Sequence, residues 1–211
     1  MTDKSHITVI LDRTGSMDSI RADVIGGFNA FLTEQKSASA ATTFTLVQFN
    51  SQDPYQVLHA AKPIGDVTPL TREQYVPRAS KPLYDAMGRG ILDLESQIAT
   101  RPESERPSKI IFVVVTDGAE NASQEFDRAA STKLVDAKKA AGWDFVFLSA
   151  DTEAFHDAGA FGIDYSSRLA FQKSKRGNDA AWAAASSKVR ARAMGAAEKL
   201  AFDDNDRDSS R

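Results

Sequence analysis

The 211-residue chain contains no cysteine. That excludes disulfides, thiolate metal sites and cysteine nucleophiles, and it agrees with a reducing compartment. A basic surplus is also missing. Lys and Arg number 26 against 29 Asp and Glu, for a net charge of −3, so nucleic acid is not an expected partner. The opening Met1-Thr2-Asp3-Lys4-Ser5-His6 has no apolar signal region. Every apolar run falls far short of the ~20 residues that a membrane span needs, so no membrane partner is expected. His6, His59 and His156 are scattered without ligand spacing and read as surface or packing residues. Neither Gly-x-Ser-x-Gly nor the Walker-type Gly-x-x-x-x-Gly-Lys occurs. The expected setting is cytoplasmic, in a cell or in one that hosts a virus.

What is present starts with Ile7-Thr8-Val9-Ile10-Leu11, an uncharged run that ends abruptly in Asp12-Arg13-Thr14-Gly15-Ser16-Met17. Such a β-branched run suits a strand buried on both faces. Open α/β sheets place ligands where the chain leaves the carboxyl ends of parallel strands. Here that chain carries oxygen side chains on alternate residues, Asp12, Thr14 and Ser16, with Gly15 allowing a tight turn. Ile110-Ile111-Phe112-Val113-Val114-Val115-Thr116-Asp117-Gly118 repeats the pattern far along the chain.

Helical spacing of Ile20, Val24, Phe28, Phe31 and Leu32 predicts a helix over 18–35, with Gly26-Gly27 inside it for close backbone packing. Residues 36–41 read as a loop, 43–49 as a strand, and 55–60 as an antiparallel edge strand after turn chemistry at 50–54. A long connection, 62–80, is of the length that is often functional. Pro82 fits the first turn of a helix whose apolar face is Leu83, Met87, Ile91, Leu94 and Ile98. Further helices are expected over 126–141, ending at Gly142, over 152–158 and over 178–200. Strands are expected over 143–148 and 168–172. Trp143, Trp182, Met17 and Met87 read as packing residues. Lys173-Ser174-Lys175-Arg176 reads as a solvated basic loop. Strands alternating with helices imply an α/β, doubly wound, mostly parallel sheet with one antiparallel edge strand and helices on both faces. One domain is expected over 1–202, with 203–211 a disordered polar tail.

Asp12, Thr14, Ser16 and Asp117 offer only hard oxygen ligands, which suit Mg²⁺, Mn²⁺ or Ca²⁺. The plain alternative is that Asp12 and Ser16 cap the following helix and Asp117 starts a turn.

Asp12-Arg13-Thr14-Gly15-Ser16 resembles the Asp-x-Ser-x-Ser first motif of von Willebrand factor A (vWA) domains, with threonine in the middle position. Thr116-Asp117-Gly118-Ala119-Glu120-Asn121 resembles their last motif. Ser80-Lys81-Pro82-Leu83-Tyr84-Asp85-Ala86 is similar to the middle motif, usually Gly-x-Thr-x-Leu-x-Asp-Ala. Residues 26–32, 44–49 and 143–148 look like a subfamily of stand-alone bacterial and phage vWA proteins, so the resemblance spans roughly residues 6–200. It implies a Rossmann-like vWA fold with a metal-ion-dependent adhesion site (MIDAS), in which Asp12, Thr14, Ser16 and Asp117 hold Mg²⁺, or Mn²⁺ or Ca²⁺. It also implies a protein partner that presents Asp or Glu, an AAA+ ATPase or assembly component among the candidates. If a phage encodes the chain, host cytoplasm or virion is its expected place.

Lys81 departs from the pattern, because it stands where the middle motif has threonine. An ammonium ~6 Å from Mg²⁺ at an effective dielectric of ~20 is repelled by roughly 5 kcal/mol. Three outcomes stay open: a weakened or absent metal with Lys81 swung aside and Ser80 moved in, a Lys81 ammonium that replaces the metal between Asp12 and Asp117, or no functional site. Asp85 is expected to contact nearby backbone or polar groups. Glu120 and Asn121 are expected to shape the site's rim. A second class is a haloacid-dehalogenase-like phosphotransferase. Asp12-Arg13-Thr14-Gly15-Ser16 is similar to the phosphorylation motif of P-type ATPases, which makes Asp12 the nucleophile and Lys81 the phosphate ligand. Against it, Thr14 occupies the position of that class's second Asp.

Overall fold

A computed structural model describes residues 4–38, 41–160 and 162–211. Six strands form one sheet: β1 (Ser5–Asp12), β2 (Thr42–Phe49), β3 (Gln56–Pro63), β4 (Lys109–Thr116), β5 (Trp143–Ser149) and β6 (Arg168–Ala170). Their order is β3-β2-β1-β4-β5-β6, with β3 antiparallel to β2 and all other pairs parallel. All residues of β1 and β4 are buried, as their uninterrupted apolar runs require.

Alternation along β1 divides the core. Ile7, Val9 and Leu11 face α1 (Arg21–Ala38) and α5 (Lys175–Ala193), packing with Phe28, Phe31, Trp182 and Val189. Ile10 faces the opposite layer, where α2 (Leu83–Ala99), α3 (Arg128–Ala140) and α4 (Thr152–Ala160) pack Leu83, Met87, Ile91, Val135 and Ala158. Met17, Met87, Trp143 and Trp182 are all core residues, as expected.

Several boundaries differ from the sequence reading. The first helix opens with a 3-10 turn at Gly15–Ile20 and continues as α1 to Ala38, so the expected loop at 36–41 shrinks; 39–40 lie outside the described residues. The helix expected over 178–200 runs from Lys175 to Ala193, because Ser174 caps it by accepting from the Gly177 N–H at 3.1 Å. The tail is not disordered. Asp204–Ser209 forms α6, whose capping box joins Asp203 and Asp206. Ser210 then locks onto β6, its Oγ donating to the Ala170 carbonyl at 2.7 Å while its own carbonyl accepts from the Gln172 N–H at 2.9 Å. Among the described residues, no helix is long and apolar enough to cross a membrane.

His6 is fully buried in β1, with its ring nitrogens 2.8 Å from Thr43 Oγ1 and 3.0 Å from Thr8 Oγ1. Burial, helped by the nearby Arg101 charge, lowers its pKa from 6.5 to about 3. Below pH 6.5 the unfolded chain therefore takes up a proton that the folded chain refuses. Stability from this source is complete above pH 6.5, falls as pH drops, and levels off near pH 3. The expected loss is about 2 kcal/mol between pH 6.5 and 5. Urea denaturation across that window should show a shallower slope for His6→Asn than for the wild type.

Candidate functional site

The pairing of β1 with β4 in register Leu11↔Val115 brings the ends of both strands side by side. Asp12 closes β1, and Thr116-Asp117 closes β4. Asp12 is 0% exposed. Its Oδ1 accepts from the Thr14 N–H at 2.8 Å, and its Oδ2 accepts from Thr116 Oγ1 at 2.6 Å. Ser16 Oγ donates to Asp117 Oδ1 at 2.6 Å and lies 3.2 Å from Thr14 Oγ1. The four residues proposed from sequence as an oxygen ligand set, Asp12, Thr14, Ser16 and Asp117, thus converge.

Lys81 fills the centre of that set. The residue is 3% exposed, so the side chain does not swing into solvent. Its Nζ forms an ion pair with Asp12 Oδ2 and lies 2.8 Å from Asp117 Oδ1 and 3.1 Å from both Thr14 Oγ1 and Thr116 Oγ1. Three ammonium protons thus face four oxygen acceptors. A second lysine completes the charge balance. Lys173 Nζ lies 2.9 Å from Asp117 Oδ2. Burial works against the Asp117 charge. The Lys81 ammonium, with hydrogen bonds from Lys81, Ser16 and Lys173, outweighs it and holds the carboxyl below its ordinary range.

The backbone that presents Lys81 is clamped from the β4–α3 loop. Asn121 Oδ1 accepts from the Lys81 N–H at 2.8 Å, and the Asn121 N–H returns to the Lys81 carbonyl at 3.1 Å. Glu120 caps α2. Its carboxylate accepts from the N–H groups of Leu83 and Tyr84, and also from Ala122 and Ser123. Asp85 reciprocates from α2, accepting 2.9 Å bonds from the N–H groups of Gln124, Glu125 and Phe126. Asp85, Glu120 and Asn121 are therefore backbone organisers. Ser80 does not move in beside Asp12. It is exposed, and it pairs with Ser51 through a 2.8 Å bond from the Ser51 N–H to its carbonyl and a 3.1 Å bond from its own N–H to Ser51 Oγ.

The long connection after β3 reaches the site through Tyr75, fully buried, whose OH donates to the Asp12 carbonyl at 2.6 Å. Burial and the nearby Asp12 and Asp117 charges push its phenol well above the ordinary value. Tyr75, Thr116 and Lys173 are the contributors that sequence reading missed. Only Thr116 had an available signal: it ends a strand beside Asp12.

A divalent ion and the Lys81 ammonium compete for the same oxygens. With Lys81 centred among them, the residues present do not fit a metal. Nor does the geometry favour the phosphotransferase class. Asp12 is fully buried, its Oδ1 accepting from the Thr14 N–H and its Oδ2 held by Thr116 and Lys81, so a phosphate ester would have to open the ion cluster to reach it.

No family model and no curated protein sequence matches the chain. Solved structures do. The vWF domain of the type V pili tip protein Mfa5 from Porphyromonas gingivalis superposes with a TM-score of 0.64 at 9% identity, over 90% of this chain and 96% of that one. The chain has the von Willebrand factor A fold. The pilus adhesin SpaC from Lactobacillus rhamnosus GG matches this vWA fold with a TM-score of 0.66 at 13% identity, over 89% of this chain and 30% of its own. The proximal thread matrix protein 1 of the mussel byssus, in a structure with a zinc-occupied MIDAS motif, matches with a TM-score of 0.51 at 14% identity, over 82% of this chain and 42% of its own. The chain thus spans less than half the length of the Lactobacillus and mussel proteins. In the vWA frame, the Lys81 centre lies at the carboxyl ends of β1 and β4, between which the sheet order reverses direction.

Proposed function

We propose that this vWA-fold chain is a protein-binding module whose carboxyl-end face uses a built-in ammonium in place of a divalent ion. One observation carries the reading: Lys81 Nζ bridges Asp12 and Asp117 while contacting both Thr14 and Thr116. The likeness to the pilus adhesin SpaC and to a pilus tip protein supports protein binding as the class of function. The partner presents Asp or Glu to the rim of the site, where Ser16 and Lys173 are accessible, while Lys81 stays buried beneath. Binding of this kind needs no added metal and weakens with salt.

The test is a Mg²⁺ and Mn²⁺ titration followed by melting temperature, on wild type and Lys81→Thr together. Wild type should not respond. Lys81→Thr frees Asp12, Thr14, Ser16 and Asp117 and adds a hydroxyl, so it should gain saturable stabilisation. At a hundredfold excess over Kd that is about 2.7 kcal/mol, or roughly 5–10 °C for a domain of this size. Saturable stabilisation of wild type would overturn the metal-free reading, and so would a Lys81→Thr variant that ignores both ions.

A further inference from the structure

A cleft of about 680 Å³ opens next to the Lys81 centre, where β5 and β6 end. Phe155, Tyr165 and Phe171 supply its apolar wall, and Lys173, Arg207 and Arg211 its cations. Tyr165 is 59% exposed, a large aromatic surface left facing solvent. The Arg207 guanidinium stacks 4.3 Å from the Tyr165 ring centroid and donates to the carbonyls of Arg168 and Tyr165 at 2.9 and 3.0 Å. Those bonds fix its direction. Among the described residues, no carboxylate pairs with it. One carboxylate, Asp151, also lines the cleft; its Oδ1 accepts from the Ala154 N–H at 2.8 Å and caps α4, so it is held at the helix end and its charge counts against the three cations. Lys173 lines the cleft while its ammonium rests on Asp117 Oδ2, so it belongs to both the cleft and the Lys81 centre. Its side chain is 40% exposed.

We propose that this cleft is a docking site for an acidic segment of a protein partner. A carboxylate of that segment engages Lys173 and Arg207, and an adjacent apolar side chain lies against Tyr165. This deepens the protein-binding reading above and rests on it. Charge complementarity selects the occupant. Three cations line the cleft against the single carboxylate of Asp151, and Arg207 is held by carbonyls, not by an acid, so positive charge is left beside an aromatic surface, which suits a carboxylate next to an apolar group. A single-stranded nucleic acid would need a basic groove that tracks its backbone. Here the basic run after Lys173 is interrupted, because Lys175 is paired with Asp179, and the chain as a whole is acidic.

Fluorescence anisotropy at low salt tests the proposal. The probes are a fluorescein-labelled peptide alternating Glu with Leu, the same peptide with Lys for Glu, and a thymidine oligonucleotide of equal charge. The proteins are wild type, Lys173→Gln, Arg207→Gln and Tyr165→Ser, each checked by melting temperature. Wild type should bind the acidic peptide saturably and ignore the lysine peptide. Loss of either cation should weaken binding about tenfold, and Tyr165→Ser should weaken it by several fold. Arg207 also holds carbonyls of its own chain, so Lys173→Gln and Tyr165→Ser decide the matter if Arg207→Gln melts early. The proposal is overturned by absence of saturable acidic-peptide binding, by tighter binding of the oligonucleotide, or by stable variants that bind like wild type. Chelator separates the two readings. Binding unchanged by EDTA supports both, whereas loss of binding in EDTA overturns the metal-free centre and leaves the cleft to the variants.

Discussion

Lys81→Ala should cost about 3–5 kcal/mol of folding stability, because it removes one partner from a buried ion cluster and leaves the Asp12 carboxylate buried without its cation. Asp12 is the residue most affected. It is fully buried, and Lys81 is the cation paired with it, whereas Asp117 keeps Lys173. Urea denaturation is the direct measurement, with a melting temperature lower by roughly 10 °C as the companion expectation. The deficit depends on pH with a definite sign. The Asp117 carboxyl is held below its ordinary range in the folded protein, first against burial and then by Lys81. Its contribution is therefore present above the unfolded value near pH ~3.9 and is lost as pH falls through the lower folded value. The gap between wild type and Lys81→Ala should narrow below about pH 4. A loss of under ~1 kcal/mol at pH 7 would show that Asp12 does not depend on this ammonium.

Gly27→Ala should also be severe, by about 3 kcal/mol or more. A Cβ at Gly27 would lie 2.1 Å from Trp182 Cδ1 and 2.7 Å from both Cγ and Nε1. The clash is with the inner ring atoms of the indole, not with the far end of a flexible chain. Trp182 is 2% exposed, and its ring is met edge-on by Phe28 at 6.1 Å and Phe31 at 5.6 Å between centroids. The neighbouring residue is the control. A Cβ at Gly26 meets nothing within 4 Å. Gly26→Ala should therefore raise stability by about 0.5–1 kcal/mol through helix propensity alone. Opposite signs for adjacent glycines, read by chemical denaturation, would establish that α1 and α5 touch through Gly27. Two equal and small effects would refute that contact.

The two glycines also mark what the sequence can and cannot say. Their position inside a helical pattern implied close packing, but only Gly27 has it, since local sequence does not reveal which face meets a tryptophan far along the chain. The strands β1 and β4 were legible because continuous β-branched runs have few other uses. The convergence of Asp12, Thr14, Ser16 and Asp117 followed from two such strands ending in oxygen-bearing residues. Lys81 was recognisable as a departure, and its replacement of a metal was one of the options its chemistry allowed. Lys173 was not legible. Nothing in Lys173-Ser174-Lys175-Arg176 distinguishes a lysine that reaches Asp117 from its solvated neighbours. Tyr75 was hidden likewise in a long connection without periodicity. The composition of 203–211 pointed to disorder, yet α6 forms. A helix this short depends on its capping box and on contacts to β6, not on propensity.

The edges of the sheet bear on how a partner of the kind proposed above would attach. β3 pairs with β2 through register shifts near Phe44 and Leu46 and carries Lys62 and Pro63 at its end. β6 is three residues long and holds Ser210 through bonds at Gln172 and Ala170. Irregular pairing, lysine, proline and short length all discourage strand addition. Neither edge is a good template for a visiting β-strand, so main-chain augmentation of the sheet is disfavoured as a recognition mode. For the binding role proposed above, specificity would then rest on the side chains displayed where the strands end, and a partner could be exchanged by changing a few of them without disturbing the sheet that holds them.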